Sequence, residues 1–344
     1  MLGAFAMIAS FATAQNAPNA YDAAKHYAPN PYYSSVPTIL PNPYQEVEKN
    51  WFRLPEGMGW AAMDAPAIDS HGNIWGMTRC RAQTCSSLSV DEAAIFEFDS
   101  SGKYIKSIGQ GLFAEPHGFF LDKDDNLWVA DAGGRTGHGN VVIKLSPEGK
   151  VLLTLGKPGV MGGAPENFLG PAAVLVAPNG DIFVADGHAV LPWGGGEWFG
   201  FNEQTSDASH AGIVKFSKDG KFIKRWGHLG TGPGEFNVPH SLAMDSQGRL
   251  FVADRGNNRI QIFDQDGKFL DQWKQFGKPC GIFIDKNDVL YVADSDSVGD
   301  EWDYMYSSIG NTAATSLIRR PRLTDVGLES QMKQGIRMVA PKTE

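Results

Sequence analysis

Two histidines stand at matching places in a recurring pattern. His117 follows Pro116 and opens the run Gly118-Phe119-Phe120-Leu121, and His240 follows Pro239 and opens Ser241-Leu242-Ala243-Met244. Imidazole nitrogen is a zinc ligand, so two imidazoles converging from equivalent positions make half of a zinc site. The same placement also suits two histidines that only hydrogen-bond the carbonyls of neighbouring strands. Cys280 follows Pro279 at a third such position, where a thiolate would add another ligand. Asp131, Asp186, Asp254 and Asp294 each follow an alanine at the end of a β-rich run. They suit hydrogen bonds to turn amides. Their alternative use is as oxygen ligands for a structural calcium.

Five stretches of the chain position these residues, and they say nearly the same thing. Each opens on a proline, at 66, 116, 171, 239 and 279, with a short apolar strand behind it. A polar turn such as Pro178-Asn179-Gly180 follows, then a second strand such as Ile182-Phe183-Val184-Ala185-Asp186. β-Branched and aromatic runs broken by Gly, Asn or Asp are hairpin chemistry. Arg259-Ile260-Gln261-Ile262-Phe263 reads as a third strand, and Phe269-Leu270-Asp271-Gln272-Trp273 as a fourth, beyond an Asp-Gly-Lys turn. Four strands per unit is one blade of a β-propeller, an all-β fold whose first strands surround a central channel. Residues that open those strands, His117 and His240 among them, are therefore expected to face one axial cavity.

These units resemble NHL repeats. More narrowly, residues about 58 to 295 are similar to bacterial proteins of the peptidyl-α-hydroxyglycine α-amidating lyase type. The most specific stretches are Pro233-Gly234-Glu235-Phe236-Asn237-Val238-Pro239-His240-Ser241-Leu242-Ala243 and Phe251-Val252-Ala253-Asp254-Arg255-Gly256-Asn257-Asn258-Arg259-Ile260-Gln261. Pro116-His117-Gly118 and Ala185-Asp186-Gly187 match in the same order. The resemblance implies a six-bladed-type propeller in which His117 and His240 hold zinc. That zinc would polarise the hydroxyl of a carbinolamide and ease C–N cleavage.

The resemblance also marks Arg255 and Arg79 as active-site arginines, a pair able to hold a carboxylate or a developing oxyanion. An ion pair with a nearby acid is the structural alternative, above all for Arg79. His188 stands where the family carries its catalytic tyrosine, as a proton-transfer group or a metal ligand. The family's third zinc histidine belongs to its last blade, which opens on a run similar to Gln334-Gly335-Ile336-Arg337-Met338, and with Glu344 close behind the resemblance leads to the expectation that most of that blade is missing. Either the final blade is truncated or segment 30 to 60 closes the ring, and the metal site is either incomplete or completed by Cys280 or His188. The aromatic, Gly-rich insertion from Pro192 to Phe201 would roof the channel mouth, or pack as an edge loop on the next blade.

Composition bounds the remainder. Across 344 residues the formal net charge is -9, a field that repels phosphate backbones and argues against nucleic acid as a partner. Residues 1–14 read as a signal peptide: Leu2 to Phe11 is apolar, and Ala12-Thr13-Ala14 precedes Gln15 as an A-x-A cleavage pattern. A buried first strand or helix is the alternative. The run is too short to span a bilayer. Residues 15–57 form an extended Asn-, Pro- and Tyr-rich leader, and 58–344 the propeller.

A periplasmic or secreted protein permits a disulfide between Cys80 and Cys85, with Cys280 left as the odd thiol. Two free thiols in a loop is the other arrangement. Two functional classes follow: a metal-dependent lyase acting on a small molecule or peptide, and a non-catalytic propeller that binds a protein, peptide or glycan.

Overall fold

The computed structural model describes residues 52–56, 63–80, 85, 92–135, 137–188, 211–274, 276 and 278–294. The segment expected as signal peptide, most of the expected leader, the aromatic insertion and the segment 295–344 lie outside the described residues. The blade count beyond the fifth unit therefore lies outside them too. Among the described residues, no helix is long and apolar enough to cross a membrane.

The chain folds as successive antiparallel sheets. The first contains β1 (Met63–Ile68), β2 (Ile74–Thr78), β3 (Ile95–Phe98) and β4 (Tyr104–Ile108). The second contains β5 (Pro116–Leu121), β6 (Leu127–Arg135), β7 (His138–Leu145) and β8 (Val151–Leu155). β9 (Pro171–Val176), β10 (Ile182–Asp186), β11 (Gly212–Phe216) and β12 (Phe222–Trp226) form the third. β13 (Pro239–Met244), β14 (Leu250–Asp254), β15 (Arg259–Phe263) and β16 (Phe269–Trp273) form the fourth, and β17 (Pro279–Ile284) with β18 (Leu290–Asp294) begins the fifth. Strand order follows chain order within every sheet, as the repeated hairpins require.

Each first hairpin turns at one left-handed residue: Gly72, Asp125, Gly180, Gly248 and Asp288 all have positive φ. In four of the five, all but the third, where Ala177 stands, an aspartate before the turn organises it. Asp122 accepts the amides of Asp124 and Asn126, each at 3.0 Å, and Asp245 accepts those of Gln247 and Arg249, at 3.1 and 2.9 Å. These local bonds are the physical basis of the repeat, because Asp bonds its own backbone two residues on.

The first strands pack beside one another, β1 on β5, β5 on β9, β9 on β13 and β13 on β17, so the sheets radiate from a common inner edge. Apolar cores fill the spaces between consecutive sheets. Trp75, Ile95 and Val129 meet between the first and second, Trp128, Val174 and Val214 between the second and third. Phe183, Phe236 and Val252 meet between the third and fourth, and Phe251, Ile260 and Val292 between the fourth and fifth. Because every inner sheet is covered on both faces, β10, β14 and β15 are buried along their whole length. This is an all-β propeller architecture, as the repeats predict.

Candidate metal centre

The second residue of each Pro-opened inner strand is a β-bulge. In β5, Pro116 pairs with Asp131 and Gly118 with Ala130, so His117 has no partner residue across the ladder. His240 is skipped in the same way between Pro239 and Ser241, as are Ala172 on β9 and Cys280 on β17. A bulge bends the strand and re-aims the extra side chain. The result is that His117 and His240, from the second and fourth sheets, meet with ring centroids 4.7 Å apart.

Aspartates hold the bulged ends in place. The Asp131 carboxylate accepts the Ala114 amide at 2.9 Å and the Glu115 amide, just before Pro116. Asp186 accepts from Leu169 and Gly170 at 2.8 and 3.0 Å, and Asp254 from Asn237 at 2.7 Å. The turn-amide role read from the sequence is thus the observed one at these three positions. The Asp294 side chain lies outside the described residues.

Each imidazole is then oriented by the next blade. His117 Nδ1 lies 2.9 Å from the carbonyl oxygen of Ala172, and His240 Nδ1 lies 2.7 Å from that of Cys280. A carbonyl only accepts, so both Nδ1 atoms carry the hydrogen and both Nε2 atoms carry the lone pair. Carbonyl bonding and metal ligation, set against each other in the sequence, are the two ends of one ring. Close approach is needed for this: a Cβ at Gly118 would fall 2.4 Å from the Ala172 oxygen.

A third imidazole joins them. Gly187 adopts φ +135°, a backbone state that L side chains rarely enter, and His188 donates its amide to the Gly170 carbonyl at 2.9 Å. The chain so turned brings the His188 ring to 4.2 Å from His117 and 5.5 Å from His240. One ligand atom from each of the three lies within 4.8 Å of the others.

This donor set fits a zinc-type ion. His117 is 5% exposed, and its Nε2 is buried with no hydrogen-bond partner, an arrangement that costs free energy unless something accepts the lone pair. Burial keeps all three rings neutral. It pushes His117 and His188 well below the usual histidine range and His240 down to about 3, with Arg79 acting on all three and Arg255 on His188 and His240 in the same direction. Neutral imidazole is the form that binds metal.

The arginines reach this centre by separate routes. Arg255 opens a 3-10 helix, Arg255–Asn257, ended by left-handed Asn258, and its Nε donates to Cys280 Sγ at 3.0 Å. Arg79 follows β2, with Nη1 3.7 Å from Oε1 of buried Glu115. A disulfide joins Cys80 to Cys85, and the Cys85 amide donates to the Ala114 carbonyl at 2.8 Å, so Cys85 is fastened to the residue before Glu115.

Among the described residues the metal-competent group is His117, His188 and His240. Cys280, expected as a ligand, instead has its carbonyl on His240 and its sulfur against Arg255. Glu115 escaped the sequence reading. Its signal was an acid two residues before His117, in Glu115-Pro116-His117.

Comparison with known proteins places this geometry in context. Residues 236–263 match the family described as NHL repeat. The chain is 37% identical over 180 residues to peptidyl-glycine alpha-amidating monooxygenase B of Xenopus laevis, covering 50% of this chain and 18% of that protein. It is 38% identical over 153 residues to human NHL repeat-containing protein 3, covering 43% of this chain and 38% of that one. It is 29% identical over 226 residues to peptidyl-alpha-hydroxyglycine alpha-amidating lyase 1 of Drosophila melanogaster, covering 58% of this chain and 37% of the fly protein. The matched stretches thus span well under half the length of these relatives. The chain is an NHL-repeat β-propeller similar to the peptidyl-α-hydroxyglycine α-amidating lyases.

Proposed function

We propose that this chain is an exported, metal-dependent lyase that cleaves the C–N bond of an α-hydroxyglycine-type substrate in its central channel. The observation that carries the reading is the triad of neutral imidazoles, two of them pinned through Nδ1, of which His117 also has a buried Nε2 with no hydrogen-bond partner. A zinc ion held by His117, His188 and His240 would act as a Lewis acid toward the substrate hydroxyl. Arg255 and Arg79 hold the substrate carboxylate and stabilise negative charge beside it. His188 serves the metal rather than the proton, because a lone pair given to a metal cannot also take a proton. The reaction moves one proton from the hydroxyl oxygen to the amide nitrogen, leaving an amide and glyoxylate. The Cys80–Cys85 disulfide supports a periplasmic or secreted location.

Purified protein should contain one zinc per chain and release glyoxylate from an α-hydroxyglycine-extended peptide, in a chelator-sensitive way. His117→Ala and His240→Ala should abolish both. One observation favours a second reading, a non-catalytic propeller that binds a peptide or glycan: His188 occupies the place of the family's tyrosine. Zinc-loaded protein with no glyoxylate release from any such peptide would favour that reading.

A further inference from the structure

Cys280 touches two residues of the neighbouring blade at once. Its carbonyl accepts Nδ1–H from His240 at 2.7 Å, and its Sγ accepts Nε–H from Arg255 at 3.0 Å. The corresponding residue of the third sheet, Ala172, supports His117 through the same backbone carbonyl and has no side-chain acceptor. The sulfur is therefore an addition to a contact that the fold already makes. We infer that Cys280 is a positioning residue, which ties Arg255 to the metal-binding imidazole of His240 and sets the guanidinium plane for a substrate carboxylate. This rests on the lyase reading for the identity of that carboxylate.

The chemistry of sulfur suits the task. A guanidinium is planar, so fixing Nε fixes the direction of both Nη groups, the edge with which arginine meets a carboxylate bidentately. An aspartate at 280 would also accept from Nε but would cancel the charge that the substrate needs. A thiol can accept from Nε and so orient the cation, and because it carries no charge it leaves that of the guanidinium uncancelled. The two contacts are also separable. Substituting the side chain leaves the carbonyl on His240, so metal binding and carboxylate anchoring should come apart at this one residue.

The test uses Cys280→Ala and Cys280→Ser in the full chain, with thermal unfolding to confirm that both fold. Zinc content and affinity are measured by chelator competition. Binding of glyoxylate to the zinc-loaded protein is measured by calorimetry, and KM and kcat with an α-hydroxyglycine-extended peptide. Cys280→Ala should keep its zinc with unchanged affinity, while glyoxylate Kd and peptide KM rise about tenfold and kcat changes less. Cys280→Ser should recover part of that loss.

Loss of zinc from Cys280→Ala would make Cys280 a ligand and overturn the inference. So would retained zinc with unchanged glyoxylate Kd, or a wild-type protein that binds no glyoxylate. If wild type binds glyoxylate but turns nothing over, the lyase reading fails alone, and the binding series still decides the role of Cys280.

Discussion

The third and fourth sheets begin alike and end differently. Both close their second strand with a buried aspartate, Asp186 on β10 and Asp254 on β14, that anchors the entry to the inner strand. In the fourth sheet the residue paired with that aspartate is Arg259, and in the third it is Gly212. Asp254 accordingly accepts from Arg259 Nε at 2.7 Å, Asn257 Nδ2 at 2.9 Å and Gln261 Nε2 at 3.0 Å. Arg259 continues to the carbonyls of Thr231, Gly232 and Glu235. Asp186 has two amides on Oδ1, and its buried Oδ2 has no hydrogen-bond partner. Burial raises both carboxyls, to about 7 for Asp186 and about 6 for Asp254, where a guanidinium is in contact.

The difference separates two uses of one repeat. The complete network of the fourth sheet holds the turn that presents Arg255, and it coincides with the stretch that matches the NHL family. The third sheet forgoes the network. Its chain departs at Gly187 and projects His188 into the cluster. The regular repeat braces the turn that presents its site residues, and the irregular one lets the chain turn aside to place His188.

Four measurements would break or sharpen that contrast. Arg259→Met should be the most damaging, since it leaves Asp254 buried without its cation; a loss of about 3–5 kcal/mol in denaturant unfolding is expected. A loss under about 1 kcal/mol would mean that the network is not what holds the fourth sheet. His188→Ala should weaken zinc by more than the roughly 10–100-fold cost of an outer-shell partner, with little change in metal-free stability. Unaltered zinc affinity would remove the third sheet from the metal centre.

Gly212→Ala tests why the third sheet carries no arginine there. A Cβ at Gly212 would lie 2.3 Å from the Trp226 carbonyl oxygen, so a loss of about 1–3 kcal/mol is expected from overpacking, and a neutral result would show that the strands can spread. Asn257→Ala should cost least, about 1 kcal/mol, because it removes the Nδ2 contacts to Asp254 and the Gly230 carbonyl while leaving Arg259 in place. An equal loss in both Asn257→Ala and Arg259→Met would erase the distinction between a central cation and its helpers.

Much of the scaffold was legible without coordinates. The five prolines, the hairpin turns and the Ala-Asp strand ends come from local chemistry: side-chain alternation, left-handed turn residues and aspartates that bond nearby amides. Repeat equivalence also carried His117 and His240 to one place, because residues at the same position of different blades must share a level in the fold. The Cys80–Cys85 pairing followed from their short separation.

What the sequence by itself determined, then, is the repeated blade and the two histidines that its repetition superposes. Only the tertiary structure decided which nitrogen of each ring is used, because that depends on the carbonyls of Ala172 and Cys280 in the adjoining blades. It also decided that His188 rather than Cys280 lies with the other imidazoles, through a bulge that turns one side chain and a positive-φ glycine that redirects the chain. The pairing of Glu115 with Arg79 and of Cys280 with Arg255 is of the same kind. These contacts join residues far apart in the chain, and no local periodicity encodes the distance between two blades once their cores have packed.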